Sequence, residues 1–338
     1  MERLVTDMTE TEILFDLLEK GISPAHAVSA CEKRLTDAGF EVVDYGTAWN
    51  LKAGGKYVVN HHETTLFAFT LPQNWSDREP AIRIAAAHTD FPCLRIKPSC
   101  DIQTNGYAQV NVEVYGGAIL NTWLDRPLGV AGRVAVRSGD VFTPKVVTFQ
   151  SEKNLMTIPN LAIHMNREVN KGVELNKQTE LLPICGLSDD ADYFLDFLVK
   201  ELAVKKEDIL DFELTIYNKE KPEFVGLNDE FISASRLDNL NSCSALVSAI
   251  IDSDRADGMN LIALFDHEEI GSRSKQGAGS ILLHDMLVRI LTECGLEKEV
   301  WNRLYNSMIL SVDVAHGLHP NYAGKMDLTN KPVLGKGF

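Results

Sequence analysis

Three apolar stretches of strand character, at 81–87, 260–265 and 307–312, each run straight into side chains that can hold a metal ion or a proton. They lead to His88-Thr89-Asp90, to Asp266-His267-Glu268-Glu269 and to Asp313-Val314-Ala315-His316. Helix-type patterns at 241–252 and 282–294 lie between them, so strand and helix alternate. Such alternation predicts an α/β fold with a mostly parallel central sheet flanked by helices. In open sheets of this kind ligands bind at the carboxyl ends of the strands, so three strands ending this way point toward one site.

The chain opens helical: Ile13, Leu14, Leu17 and Leu18 recur at helical spacing, and Ser23-Pro24 with Gly39 supplies the start and stop of a second helix. Strands at 56–60 and 64–70 follow. From about 98 to 226 the texture changes to β-type segments at 110–115, 132–136 and 145–149, polar loops and one helix near 191–203. This reads as an inserted second domain. The expected division is 1–97 with 228–338 for the first domain and 98–227 for the insert.

At 338 residues and 45% hydrophobic, the chain has ample material for a large core. A net charge of -15 opposes the phosphate backbone, so no nucleic-acid partner is expected. No apolar run approaches the roughly 20 residues needed to cross a bilayer, and no membrane association is expected. The start Met1-Glu2-Arg3 lacks the layout of a signal peptide, which reads as a cytoplasmic protein. Cys31, Cys93, Cys100, Cys185, Cys243 and Cys294 form no Cys-x-x-Cys pair, so neither a disulfide framework nor a thiolate zinc site is indicated.

Nitrogen and oxygen ligands without thiolates suit zinc, manganese or cobalt in a hydrolytic role. His88 and Asp90 are two residues apart on extended chain and face the same side, so Asp90 is placed to hold the imidazole in its ligating tautomer. Glu268-Glu269 offers one carboxylate as ligand and one as general base. A fourth segment, Arg236-Leu237-Asp238-Asn239, adds a further carboxylate. Taken singly, His-x-Asp is more often an ordinary hydrogen-bonded pair, Glu-Glu is solvated surface, and Asp238 is a helix cap. Their joint occurrence at one sheet edge, beside Gly271, Gly277 and Gly279, favours a site. His26, His61 and His62 have no such context and read as structural or surface residues.

These residues carry a family resemblance. Ser23-Pro24-Ala25-His26-Ala27-Val28, His88-Thr89-Asp90-Phe91-Pro92-Cys93-Leu94-Arg95, Thr122-Trp123-Leu124-Asp125-Arg126-Pro127-Leu128 and Ile158-Pro159-Asn160-Leu161-Ala162-Ile163-His164 stand in order. Ser235-Arg236-Leu237-Asp238-Asn239, Asp266-His267-Glu268-Glu269-Ile270-Gly271-Ser272 and Asp313-Val314-Ala315-His316-Gly317-Leu318-His319-Pro320-Asn321-Tyr322 continue the series. With these motifs the chain resembles the M18 aminopeptidases, the aspartyl aminopeptidase family, nearly end to end.

The resemblance implies a catalytic domain interrupted by a dimerisation domain, with dimers assembling into a tetrahedral dodecamer. It implies two Zn2+ per active site, replaceable by Mn2+ or Co2+, and peptide substrates with a free N-terminus. His88 and Asp313 would bind one ion, Glu269 the other, and Asp238 would bridge them. Glu268 would be the general base. His164 would reach across a subunit interface into the neighbouring active site. A cis peptide is expected at Asp238-Asn239. The family pattern continues past Phe338, where a last histidine ligand and a basic residue tied to acidic substrates are expected. A chain ending there is expected to hold at most one tight ion, on the His88 side. Preference for Asp or Glu substrates follows from the resemblance alone, since a chain at -15 repels acidic peptides at long range. Two rival readings are a related di-metal peptidase or deacylase of other specificity, and an inactive assembly subunit.

Overall fold

The computed structural model describes residues 8–75, 81–172, 174–253 and 255–336. Met1-Glu2-Arg3, read above for its charge, lies outside them. The chain begins with α1 (Glu10–Lys20) and α2 (Pro24–Asp37). Thr9 and Glu12 form a reciprocal capping box on α1, and Ser23 caps α2 ahead of its first-turn proline.

A short β1 (Glu41–Val42) precedes β2 (Lys56–His61), β3 (Thr65–Thr70) and β4 (Ile82–His88). Next come β5 (Cys93–Thr104), β6 (Tyr107–Tyr115), β7 (Leu128–Val136), β8 (Lys145–Gln150) and β9 (Ile184–Leu187). After α3 (Tyr193–Leu202) follow β10 (Ile209–Asn218) and the small ribbon of β11 (Glu223–Val225) with β12 (Phe231–Ser233). The chain then runs through α4 (Leu237–Asp252), β13 (Met259–Phe265), α5 (Leu282–Glu293), α6 (Val300–Tyr305) and β14 (Met308–Ser311).

The first sheet has the order β1-β2-β3-β13-β4-β14. β1 with β2, β13 with β4 and β4 with β14 are parallel, so parallel pairing predominates as expected. The antiparallel pairings both involve β3. There the chain reverses through His62 and Glu63, both at positive φ, in the manner of a tight hairpin turn. Side chains alternate between the faces with the period of two that a strand imposes. Val58, Leu66, Ala68, Ile262 and Leu264 pack with α1, α2 and α4 on one face. Tyr57, Val59, Phe67, Phe69, Leu261, Ala263 and Phe265 pack with α5 on the other. Leu264 is fully buried in the strand that delivers the Asp266–Glu269 turn. Leu264→Ala should cost about 2–5 kcal/mol of stability, to be checked by urea denaturation.

The second sheet, β8-β7-β10-β5-β6-β9, is antiparallel throughout and packs its apolar face on α3. It opens at Cys93, so the division expected at 98 falls inside β5. The cysteines are free, four of them buried. No helix among the described residues is long and apolar enough to cross a membrane.

Candidate active site

Register brings the acidic strand ends together. β13 pairs with β4 so that Phe265 stands opposite His88, and β14 pairs so that Ser311 stands opposite Ala86. Two residues further along each of β4 and β14, Asp313 comes level with His88. Asp238 arrives from the start of α4, where the Asp238–Asn239 peptide is cis, as the resemblance led us to expect. That start is tied to both strands: Cys243 Sγ donates to the His88 carbonyl at 3.0 Å, and Asn239 Nδ2 donates to the Val312 carbonyl at 3.0 Å.

His88 is 4% exposed. Its Nδ1 lies 3.0 Å from the carbonyl oxygen of Asp90. A carbonyl only accepts, so Nδ1 carries the hydrogen, and in the neutral ring Nε2 presents its lone pair. Three carboxylates face Nε2: Asp238 Oδ1 at 3.3 Å, Asp313 Oδ1 at 3.7 Å and Glu268 Oε2 at 3.8 Å. One donor atom from each of His88, Asp238 and Asp313 lies within 4.8 Å of the others. Ligands placed tetrahedrally at about 2.0–2.1 Å from zinc stand about 3.3 Å apart. The donor types and their spacing therefore fit a zinc-sized cation.

Electrostatics agrees with that fit. Burial opposes protonation of His88, yet the hydrogen bond and charge of Asp90 and the charge of Glu268 outweigh it and push the pKa up to about 9. Burial, followed by the neighbouring Asp313, raises the pKa of Asp238. Burial also raises that of Glu269, with Asp238 and Asp90 adding to it against the Gly117 amide. The cluster carries more negative charge than its surroundings neutralise, and a cation relieves this.

Asp90 is fully buried. Its carboxylate stands 3.4 Å from His88 Nδ1, farther than its own carbonyl, and its closer partners are elsewhere. It accepts the Tyr115 hydroxyl at 2.6 Å and the backbone N–H groups of Glu268 at 3.0 Å and Glu269 at 3.1 Å. Asp90 thus fixes the turn that carries both glutamates. His267 Nδ1 stands 2.7 Å from Ser274 Oγ and its Nε2 3.3 Å from the buried Asp266 carboxylate, so these two side chains are engaged with partners outside the cluster. His164 is exposed on the 159–166 loop of the second sheet's domain and makes no hydrogen bond or ion pair with the carboxylate cluster among the described residues. Tyr115 and the glycines after it, Gly116 and Gly117, escaped the sequence reading. Their signal was a glycine doublet directly following a strand. A cavity of about 580 Å³ adjoins Asp238, lined by Phe91, Gly117, Ile119, Trp123 and Leu237 among others, and gives a substrate room beside the cluster.

Residues 17–338 match the family model of aminopeptidase I zinc metalloproteases, M18. The chain belongs to the M18 family. It is a metallo-aminopeptidase, a hydrolase. A probable M18 family aminopeptidase 2 of Clostridium novyi is 41% identical over 330 residues, which span 96% of this chain and 76% of that protein. The cryo-EM structure of an Ape4 and Nbr1 complex superposes with a TM-score of 0.88 at 32% identity, covering 99% of this M18 chain and 70% of that one. The S. cerevisiae mApe1 dodecamer, at 24% identity and a TM-score of 0.75 over 96% of this chain and 75% of that one, shares the fold.

Proposed function

We propose that the enzyme removes single residues from peptide N-termini at a two-zinc site, in which His88, Asp238 and Asp313 would hold one ion and Asp238 and Glu269 would contribute ligands to the other. Asp238 would serve both ions. The observation that carries this reading is the convergence of three carboxylates on His88 Nε2, at 3.3 to 3.8 Å. When bound, the ions supply Lewis-acid polarisation of the scissile carbonyl and make water more acidic. Glu268 is half exposed and faces the same space, so it is free to take the proton from the attacking water. It returns that proton to the leaving amine. Asp90 keeps His88 and the glutamate turn in place. Manganese or cobalt suits the same oxygen and nitrogen donors.

Residues 98–227 carry the dimerisation surface in this reading, and the exposed His164 reaches toward a partner's active site. Dimers then assemble into a dodecamer, the state described for the yeast relative, in the cytoplasm. The preferred N-terminal residue is Asp or Glu, on the resemblance to aspartyl aminopeptidases. Peptides with free and acetylated N-termini test the reaction class: the free peptide should be cleaved and the acetylated one left intact. Cleavage of both at equal rates would point to an endopeptidase instead, and release of acetate from the acetylated peptide alone to a deacylase. Relative kcat/KM for Asp, Glu and Leu substrates tests the preference, and a clear advantage for Leu rejects it.

A further inference from the structure

We infer that Tyr115, Gly116 and Gly117, where β6 ends in the second sheet, form a cradle that positions Glu269 and Glu268, with Tyr115 acting through Asp90. The inference rests on the division of roles proposed above. The Asp90 carboxylate is fully buried, so water does not replace a lost donor. Its shortest contact is the Tyr115 hydroxyl, 2.6 Å from Oδ2, the oxygen that also takes the Glu269 N–H. The Tyr115 ring is clamped in turn, because the Arg95 guanidinium lies 3.9 Å from its centroid and pairs with Glu213 at 3.1 Å. The second sheet therefore fixes where the hydroxyl points, and the hydroxyl fixes the carboxylate that holds the glutamate turn.

The next two residues meet Glu269 directly. Gly116 sits at φ +72°, and a Cβ there would stand 2.7 Å from Glu269 Oε2 and 3.0 Å from Glu269 Cβ. The backbone conformation favours glycine, and a side chain there would have to push Glu269 aside. The Gly117 N–H is 3.4 Å from the same Oε2. Three consecutive residues thus control the backbone, the stem and the carboxylate of one glutamate.

Tyr115→Phe and Gly116→Ala in the full-length protein test this. Amide hydrogen exchange of the metal-free protein comes first, since it needs neither ions nor turnover. Tyr115→Phe should speed exchange at Glu268 and Glu269 while β13 stays protected. With metal restored, kcat should fall about 10–100-fold, the usual range for a partner that orients a ligand, and KM should stay unchanged. The visible spectrum of the cobalt-loaded protein should change in both variants, because Glu269 moves. A Tyr115→Phe protein with wild-type exchange, kcat and cobalt spectrum, or with a lowered Tm as its sole change, would overturn the cradle. Should the wild type itself turn over no peptide with any metal, the proposed function fails, and the exchange data still judge the cradle on their own.

Discussion

Glu268→Gln is expected to remove turnover, by about 10²–10⁴-fold in kcat, while leaving metal content at the wild-type level. The amide keeps the size and polarity of the side chain but has no basic oxygen to accept a proton at neutral pH. Glu268 Oε2 faces His88 Nε2 at 3.8 Å, while the donor atoms that all lie within 4.8 Å of one another come from His88, Asp238 and Asp313, which suits Glu268 as a group that works beside the ion rather than on it. Glu269→Gln should behave differently. Its carboxylate sits against Gly116 and Gly117 and shares the negative field of Asp238, so its loss should weaken metal binding. Metal analysis of the two variants after gel filtration separates the roles. Equal metal loss in both would show that the two glutamates have been assigned the wrong way round.

The strands that deliver the cluster were legible because each is a short, mostly apolar run, and such runs announce themselves whether they end up largely buried, as β4 and β13 do, or exposed, as β14 does. β4, β13 and β14 were read from composition, and their parallel register then put Asp313 level with His88. β5 was not read as a strand. It carries Arg95, Lys97 and Asp101, and Pro98 stands where its pairing with β6 shifts register between Ile96 and Asp101. A proline at such an irregularity costs the sheet nothing, but it erases the strand signal. The same concealment affected Tyr115: it reaches Asp90 across 25 residues, and Gly117 reaches Glu269 across 152. No local pattern encodes a contact at that range. His88 and Asp90 show the converse. Their spacing correctly placed both on one side, yet the nearest partner of the imidazole is the Asp90 main chain, and its carboxylate has been given to the glutamate turn.

Asp238→Asn should uncouple stability from zinc, and in a direction that a simple packing defect cannot imitate. In the metal-free protein Asp238 lies among like charges: burial and Asp313 both disfavour its ionised form, and its favourable neighbour is the single imidazole of His88. The wild-type fold therefore carries a local repulsion that a bound cation relieves, and zinc should raise its Tm. A ligand at 100 times its dissociation constant adds about 2.7 kcal/mol to stability. Asparagine keeps the shape of the side chain and removes one of the repelling charges. The metal-free variant should then be at least as stable as metal-free wild type, yet gain little on addition of zinc and show no turnover. Thermal melts of both proteins, stripped with chelator and then titrated with zinc, give the answer directly. A variant that melts lower than wild type without metal, or that gains the same Tm increment with zinc, would remove Asp238 from the ligand set.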